Sequence, residues 1–114
     1  MKTAPGDLQV FKAEFFRALA HPVRIRILEV LIAGEHSVQE LQQTLGLDQP
    51  LVSQQLAVLR GKNIVVTRKE GTTVRYALRD PRVAALLATA REIFDLHLVD
   101  TQSMLKELRK EARR

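Results

Sequence analysis

Between Ser37 and Gly61 two helices must start and stop almost on top of one another, and this constrains the fold more than anything else in the chain. Ser37-Val38-Gln39-Glu40 sets serine and glutamate three apart. At that spacing the hydroxyl and the carboxylate each take a backbone N–H of the first helical turn. The short helix they open has Val38, Leu41 and Leu45 on its buried side and closes at Gly46. Only Leu47 intervenes before Asp48-Gln49-Pro50 restarts a helix, with aspartate as N-cap and proline in the first turn, where no N–H is needed. This second helix runs to about Arg60 and stops at Gly61. Two capped helices joined by so tight a turn form a helix-turn-helix unit.

The period changes directly afterwards. Residues 64–69 and 73–78 are β-branched and alternating, joined by Glu70-Gly71-Thr72, which predicts a hairpin. Upstream, residues 1–7 contain Pro5-Gly6 and read as a flexible arm. Residues 8–20 space Leu8, Phe11, Phe15 and Leu19 as an amphipathic helix, which His21-Pro22 interrupts. A second helix over 23–33 carries Ile27, Leu28, Leu31 and Ile32 and ends at Gly34 as a left-handed cap. Downstream, Asp80-Pro81 caps a final helix that nothing breaks before the C-terminus. Its stripe of Val83, Leu87, Ala90, Phe94, His97, Thr101, Met104 and Leu108 has heptad spacing and asks for a partner helix. The expected fold is mainly α with a small β-hairpin, in the order α-α-α-α-β-β-α, with residues 8–114 forming one winged helix-turn-helix domain that ends in a long dimerisation helix.

At 100° per residue, Val52, Leu56 and Leu59 fall on one side of the second helix of the unit. Pro50, Ser53, Gln54 and Ala57 fall on the other, with Gln49 at the exposed N-terminal end. This outer face is small, polar and uncharged, as a helix lying in the major groove requires, since glutamine can pair bidentately with adenine. The charge supports the same partner. Arg60, Lys62, Arg68, Lys69, Arg75 and Arg79 are opposed within residues 60–79 by Glu70 alone, and this local surplus equals the net charge of +5 for the whole chain. Arg68, Lys69 and Arg75, with the small tip Gly71-Thr72, therefore make a basic wing suited to phosphate or to the neighbouring minor groove, and Arg60, Thr72 and Thr73 are expected to join them at the DNA. A second, weaker basic stretch at 106–114 is diluted by Glu107 and Glu111.

The segments Leu19-Ala20-His21-Pro22-Val23-Arg24-Ile25-Arg26-Ile27-Leu28, Val38-Gln39-Glu40-Leu41 and Leu51-Val52-Ser53-Gln54-Gln55-Leu56-Ala57-Val58-Leu59-Arg60, with the hairpin, resemble the ArsR/SmtB family of bacterial transcriptional repressors. The resemblance runs from about Phe11 to Phe94. It implies a homodimeric repressor on double-stranded DNA, joined through its first and last helices and released by an effector. Phe11, Phe15 and Leu19, with Leu87, Phe94, His97, Met104 and Leu108, would form the dimer interface. The positions matching the family's thiolate metal site hold Ser37 and Gln39. Those matching its zinc and nickel site hold Asp80, Arg82, Ile93 and Leu96, of which only the aspartate fits and is better explained as a helix cap. Asp95-Leu96-His97 lies outside that register. His21 and His36 read as structural and exposed respectively. No metal and no cofactor is expected, and any small-molecule effector is one of unknown chemistry.

Other classes fare worse. The chain has no cysteine, which excludes disulfide, thiolate-metal and cysteine-nucleophile chemistry. No nucleophile elbow, phosphate loop, zinc-protease or dinucleotide motif occurs, so an enzyme is not expected. A length of 114 residues fits one domain. No run reaches the roughly 20 apolar residues of a membrane span, and a cytoplasmic location is expected. The alternative is a winged helix used for protein or RNA contacts, which would show neither a salt slope on duplex DNA nor a sequence preference.

Overall fold

The computed structural model describes residues 4–113 and divides into two compact units, one ending at Pro81 and one made of the helix that follows. The elements are α1 (Asp7–Leu19), α2 (Pro22–Leu31), β1 (His36–Ser37), α3 (Val38–Leu45), α4 (Gln49–Gly61), β2 (Val65–Glu70), β3 (Thr73–Leu78) and α5 (Arg82–Ala112). The chain is mainly helical with a small antiparallel sheet, as the periodicities predict.

The first unit is built around α2, α3, α4 and the root of the hairpin. Ile27, Leu28 and Leu31 from α2 are buried with Leu41 and Leu45 from α3, Val52, Leu56 and Leu59 from α4, and Ile64 and Val65 at the start of β2. Each such side chain contributes about 1.5–3 kcal/mol on leaving water. This shared core fixes how α4 is presented.

Several element ends differ from the expectation. Part of the proposed arm, residues 1–3, lies outside the described residues, as does Arg114 of the basic tail. From Ala4 onward the chain is already a turn, in which the Ala4 N–H donates to Asp7 Oδ2 at 2.6 Å. Helix α2 stops at Leu31 instead of Ala33, and Gly34, at φ 142°, lies past its end and is not a left-handed cap. Gly46 does cap α3, at φ 67° with its N–H on the Gln42 carbonyl at 2.8 Å. Ser37 and Glu40 complete the capping box. Asp48 occupies the N-cap position of α4, but its side chain accepts no capping hydrogen bond.

Gly61, expected to stop α4, is itself helical. The reversal is made by Asn63 at φ 59°, a left-handed conformation that asparagine tolerates better than most residues. The Asn63 N–H reaches the Arg60 carbonyl and the Ile64 N–H the Leu59 carbonyl, both at 3.0 Å, which turns the chain from α4 directly into β2.

The sheet is ordered β1-β3-β2. Strand β1, which the sequence reading lacks, pairs His36 with Tyr76 and Ser37 with Arg75. His36 is thus half-buried at a sheet edge, not exposed as expected. In the hairpin Glu70 pairs with Thr73, leaving Gly71-Thr72 as a two-residue turn. Gly71 at φ 63° supplies the positive φ that the first position of a type II′ turn needs.

Helix α5 spans 31 residues, about 46 Å at 1.5 Å per residue. It is exposed along nearly all of its length.

Candidate nucleic-acid interface

Helix α4 is locked by an arginine that belongs to α2. Arg24 Nε donates to the Ala18 carbonyl at 2.5 Å and Nη2 to the Arg17 carbonyl at 3.2 Å, satisfying carbonyls at the end of α1. Its Nη1 donates to Gln55 Oε1 at 2.8 Å. Gln55 is 7% exposed and is the one buried polar side chain among the described residues. Arg26 works in a similar way, with Nη2 on the Leu45 carbonyl at 2.9 Å in the last turn of α3. His21 caps α2, its Nδ1 accepting the Val23 N–H at 3.1 Å. The two arginines and the histidine of the Leu19–Leu28 run therefore tie helix ends together.

With Gln55 turned inward, its neighbours face out. Gln49, Pro50, Gln54 and Ala57 are exposed and Ser53 is half-buried. Gln49 Nε2 donates to Ser53 Oγ at 2.7 Å, one turn along the same face. The adjacent glutamines 54 and 55 thus have opposite tasks. The signal was present in the sequence: by helical angle Gln55 falls beside Val52 and Leu59, and a polar group there demands a partner.

The wing is less basic than its sequence. Arg68 and Arg75 stand directly opposite each other on β2 and β3, a like-charge pair on one face. Arg68 Nε and Nη2 donate to Glu35 Oε2 and Oε1 at 3.0 and 2.8 Å, and Nη2 also reaches Glu70 Oε2 at 3.2 Å. Arg75 Nη1 donates to Glu40 Oε1 at 3.0 Å and Nη2 to the Glu35 carbonyl at 3.0 Å. Its Nε lies 3.6 Å from Glu70 Oε2. The Arg68 hydrogen bond holds the Glu35 carboxyl below its usual range, and the Ser37 backbone N–H does the same for Glu40. The same pairing raises the already high pKa of Arg68. The charge count along residues 60–79 misses these pairings, because Glu35 and Glu40 arrive from outside that stretch. Lys62 is also paired, 3.4 Å from Glu14. Among the described residues Arg60 and Lys69 have no ion pair, and Thr72 and Thr73 are exposed at the tip.

On α1, Phe11 is 71% exposed and Phe15 half-buried, packed edge-on against Phe16 at 5.6 Å between ring centroids. Leu19 is buried within the single chain and has little area left for a partner. On α5, Phe94, His97, Met104 and Leu108 are exposed and Leu87 is half-buried.

A profile described as a bacterial regulatory protein of the arsR family matches residues 21–67, from the cap of α2 into the wing. An uncharacterized HTH-type transcriptional regulator of Mycobacterium tuberculosis, Rv0081, is 45% identical over 103 residues, covering 90% of each chain. The chain belongs to the ArsR family. The crystal structure of Rv0081 superposes with a TM-score of 0.77 at 44% identity, over 86% of this chain and 97% of that one. A homodimeric winged helix-turn-helix DNA-binding domain from Mycobacterium bovis gives 0.75 at 30% identity, covering 84% and 91%. The biofilm growth-associated repressor of Xylella fastidiosa is 42% identical over 82 residues, 72% of each chain. These are transcriptional regulators and repressors, not enzymes, and this ArsR-family chain is similar to them in fold and sequence. Among its described residues, no helix is long and apolar enough to cross a membrane.

Proposed function

We propose that this ArsR-family protein is a dimeric transcriptional repressor that reads an inverted-repeat operator in double-stranded DNA. The observation that carries the reading is the outer face of α4. Gln49, Pro50, Gln54 and Ala57 stand clear of the core, and the one glutamine that could have confused the assignment is fixed inside by Arg24. In this reading Gln49, Ser53 and Gln54 meet base edges, while Arg60, Lys69, Thr72 and Thr73 meet phosphates. Arg68 and Arg75 contribute less to phosphate than their number suggests, because carboxylates already occupy them.

Dimer formation is proposed from two apolar surfaces, taken separately. Phe11 and Phe15 on α1 and the α5 stripe of Leu87, Phe94, His97, Met104 and Leu108 need a second copy to leave water. Two copies would place their α4 helices roughly 34 Å apart, one turn of DNA. The proposal excludes the family's known metal positions as the effector site. The Ser37 hydroxyl accepts the Glu40 N–H in the capping box at 3.2 Å, and neither it nor Gln39 can become a thiolate. The effector, if one acts, is a non-metal small molecule.

Selection of bound sites from random duplexes tests the reading: an inverted repeat with half-sites one turn apart is expected. Absence of any enriched sequence would refute it and return the chain to a protein- or RNA-contact module. Gln54→Ala should flatten discrimination at one base position by about 1–3 kcal/mol and leave the salt slope unchanged.

A further inference from the structure

We infer that Glu35 is a positioning residue that holds the Arg68 guanidinium on protein carboxylates and so limits how strongly the wing attracts DNA phosphate of any sequence. The inference rests on the DNA-binding reading above.

A wing made to offer Arg68 and Arg75 to phosphate would leave them free, and their direct opposition on one face would then be repulsive. Instead three carboxylates surround two guanidinium groups, so the cluster as a whole is negative. Glu35 grips Arg68 with both oxygens, the bidentate geometry that makes the strongest carboxylate–arginine pairs. A phosphate must displace that grip before it gains anything from Arg68. Lys69 points to the opposite face of the hairpin, across from Val74, and has no such competitor among the described residues.

Of the three carboxylates, Glu35 is the one placed to act as a restraint. Glu40 is committed to the Ser37 N–H at 2.9 Å, and Glu70 sits at the exposed hairpin tip with a single contact to Arg68. Glu35 belongs to the segment leading into β1, and its own carbonyl is held by Arg75 Nη2. The pairing of β1 with β3 sets this segment beside the wing. Glu35 thus meets Arg68 from a fixed position. Removing its charge frees Arg68 while sparing the α3 cap.

Each phosphate neutralised adds about 0.9 to the slope of log affinity against log salt, which corresponds to roughly fivefold in affinity at 0.15 M salt. The test measures binding of the full-length chain to its selected duplex and to a scrambled duplex across a potassium chloride series. Glu35→Gln should bind both duplexes roughly fivefold more tightly at 0.15 M, with a slope steeper by about one. Adding Arg68→Gln to it should restore the wild-type slope. Glu92→Gln on α5, which makes the same change in net charge, should leave the slope unchanged. If Glu35→Gln fails to fold by circular dichroism, Arg68→Gln alone tests the same claim: with its guanidinium already held by Glu35, the wild-type slope should not change, and a slope shallower by about one overturns the inference. An unchanged slope in folded Glu35→Gln overturns the inference, as does weaker binding to both duplexes, which would make Glu35 a guide toward phosphate and not a restraint. Loss of all salt-dependent binding already in the wild type would instead remove the DNA-binding reading, and the inference with it.

Discussion

Replacing Arg24 with alanine should destabilise this protein more than any exposed charge change. The side chain donates to two carbonyls at the end of α1 and to the amide oxygen of Gln55. The Arg17 carbonyl can recover water, since that contact is exposed, but Gln55 cannot, because it is 7% exposed inside α4. Hydrogen bonds from a charged donor contribute about 1.5–3 kcal/mol, and a stranded buried acceptor costs about 1–3 kcal/mol. The two overlap, so a net loss near 3 kcal/mol is expected, about 10–20 °C in Tm for a domain of this size. Urea unfolding by circular dichroism at one fixed protein concentration measures it, because dimerisation makes stability depend on concentration. Gln55→Leu should cost only about 1 kcal/mol, since the part-buried guanidinium can turn to solvent. In the double variant the losses should fall short of the sum by about 1–2 kcal/mol. Strictly additive losses, or an Arg24→Ala cost below about 0.5 kcal/mol, would refute the view that this pair clamps α4.

The other expectations concern charge and assembly. The carboxyls of Glu35 and Glu40 are held below their ordinary range, so the unfolded chain binds protons that the folded chain does not. Their contribution to stability is complete above the unfolded value of about 4.3 and fades as pH falls through the lower folded values. Urea midpoints between pH 6 and pH 3 should fall less steeply for Glu35→Gln than for the wild type, and coincident acid limbs would contradict this. Phe94→Asp should leave a monomer at micromolar concentration in sedimentation. With one half-site engaged in place of two, operator affinity should drop on the order of a hundredfold. A persistent dimer would place the interface elsewhere.

What could be read in the sequence follows the range of each interaction. Caps act over three or four residues, so the Ser37–Glu40 box and the Gly46 stop are legible from spacing alone. The same short-range logic finds the end of α4 at Gly61 but assigns the reversal to the glycine, while the left-handed residue is Asn63, two positions on. Strand β1 holds two residues, too few to show alternation. Its existence depends on β3 arriving beside it.

The charge distribution was the least legible feature, for a physical reason. Counting cations along residues 60–79 assumes that neighbours in sequence are neighbours in space, yet Glu35 lies 33 positions before Arg68, and Glu40 35 positions before Arg75. Once the wing folds back along β1, these carboxylates cancel its two central arginines. Coulomb attraction at such pairs falls only gradually with distance, but a bidentate contact needs both partners placed within tenths of an ångström. Only the tertiary fold supplies that placement. With Arg68 and Arg75 held by carboxylates, the proposed interface depends on α4 for discrimination and on cations such as Arg60 and Lys69, which have no ion pair among the described residues, for anchoring. A regulator arranged this way keeps its sequence-independent attraction low, and so spends less of its time on the many competing non-operator sites.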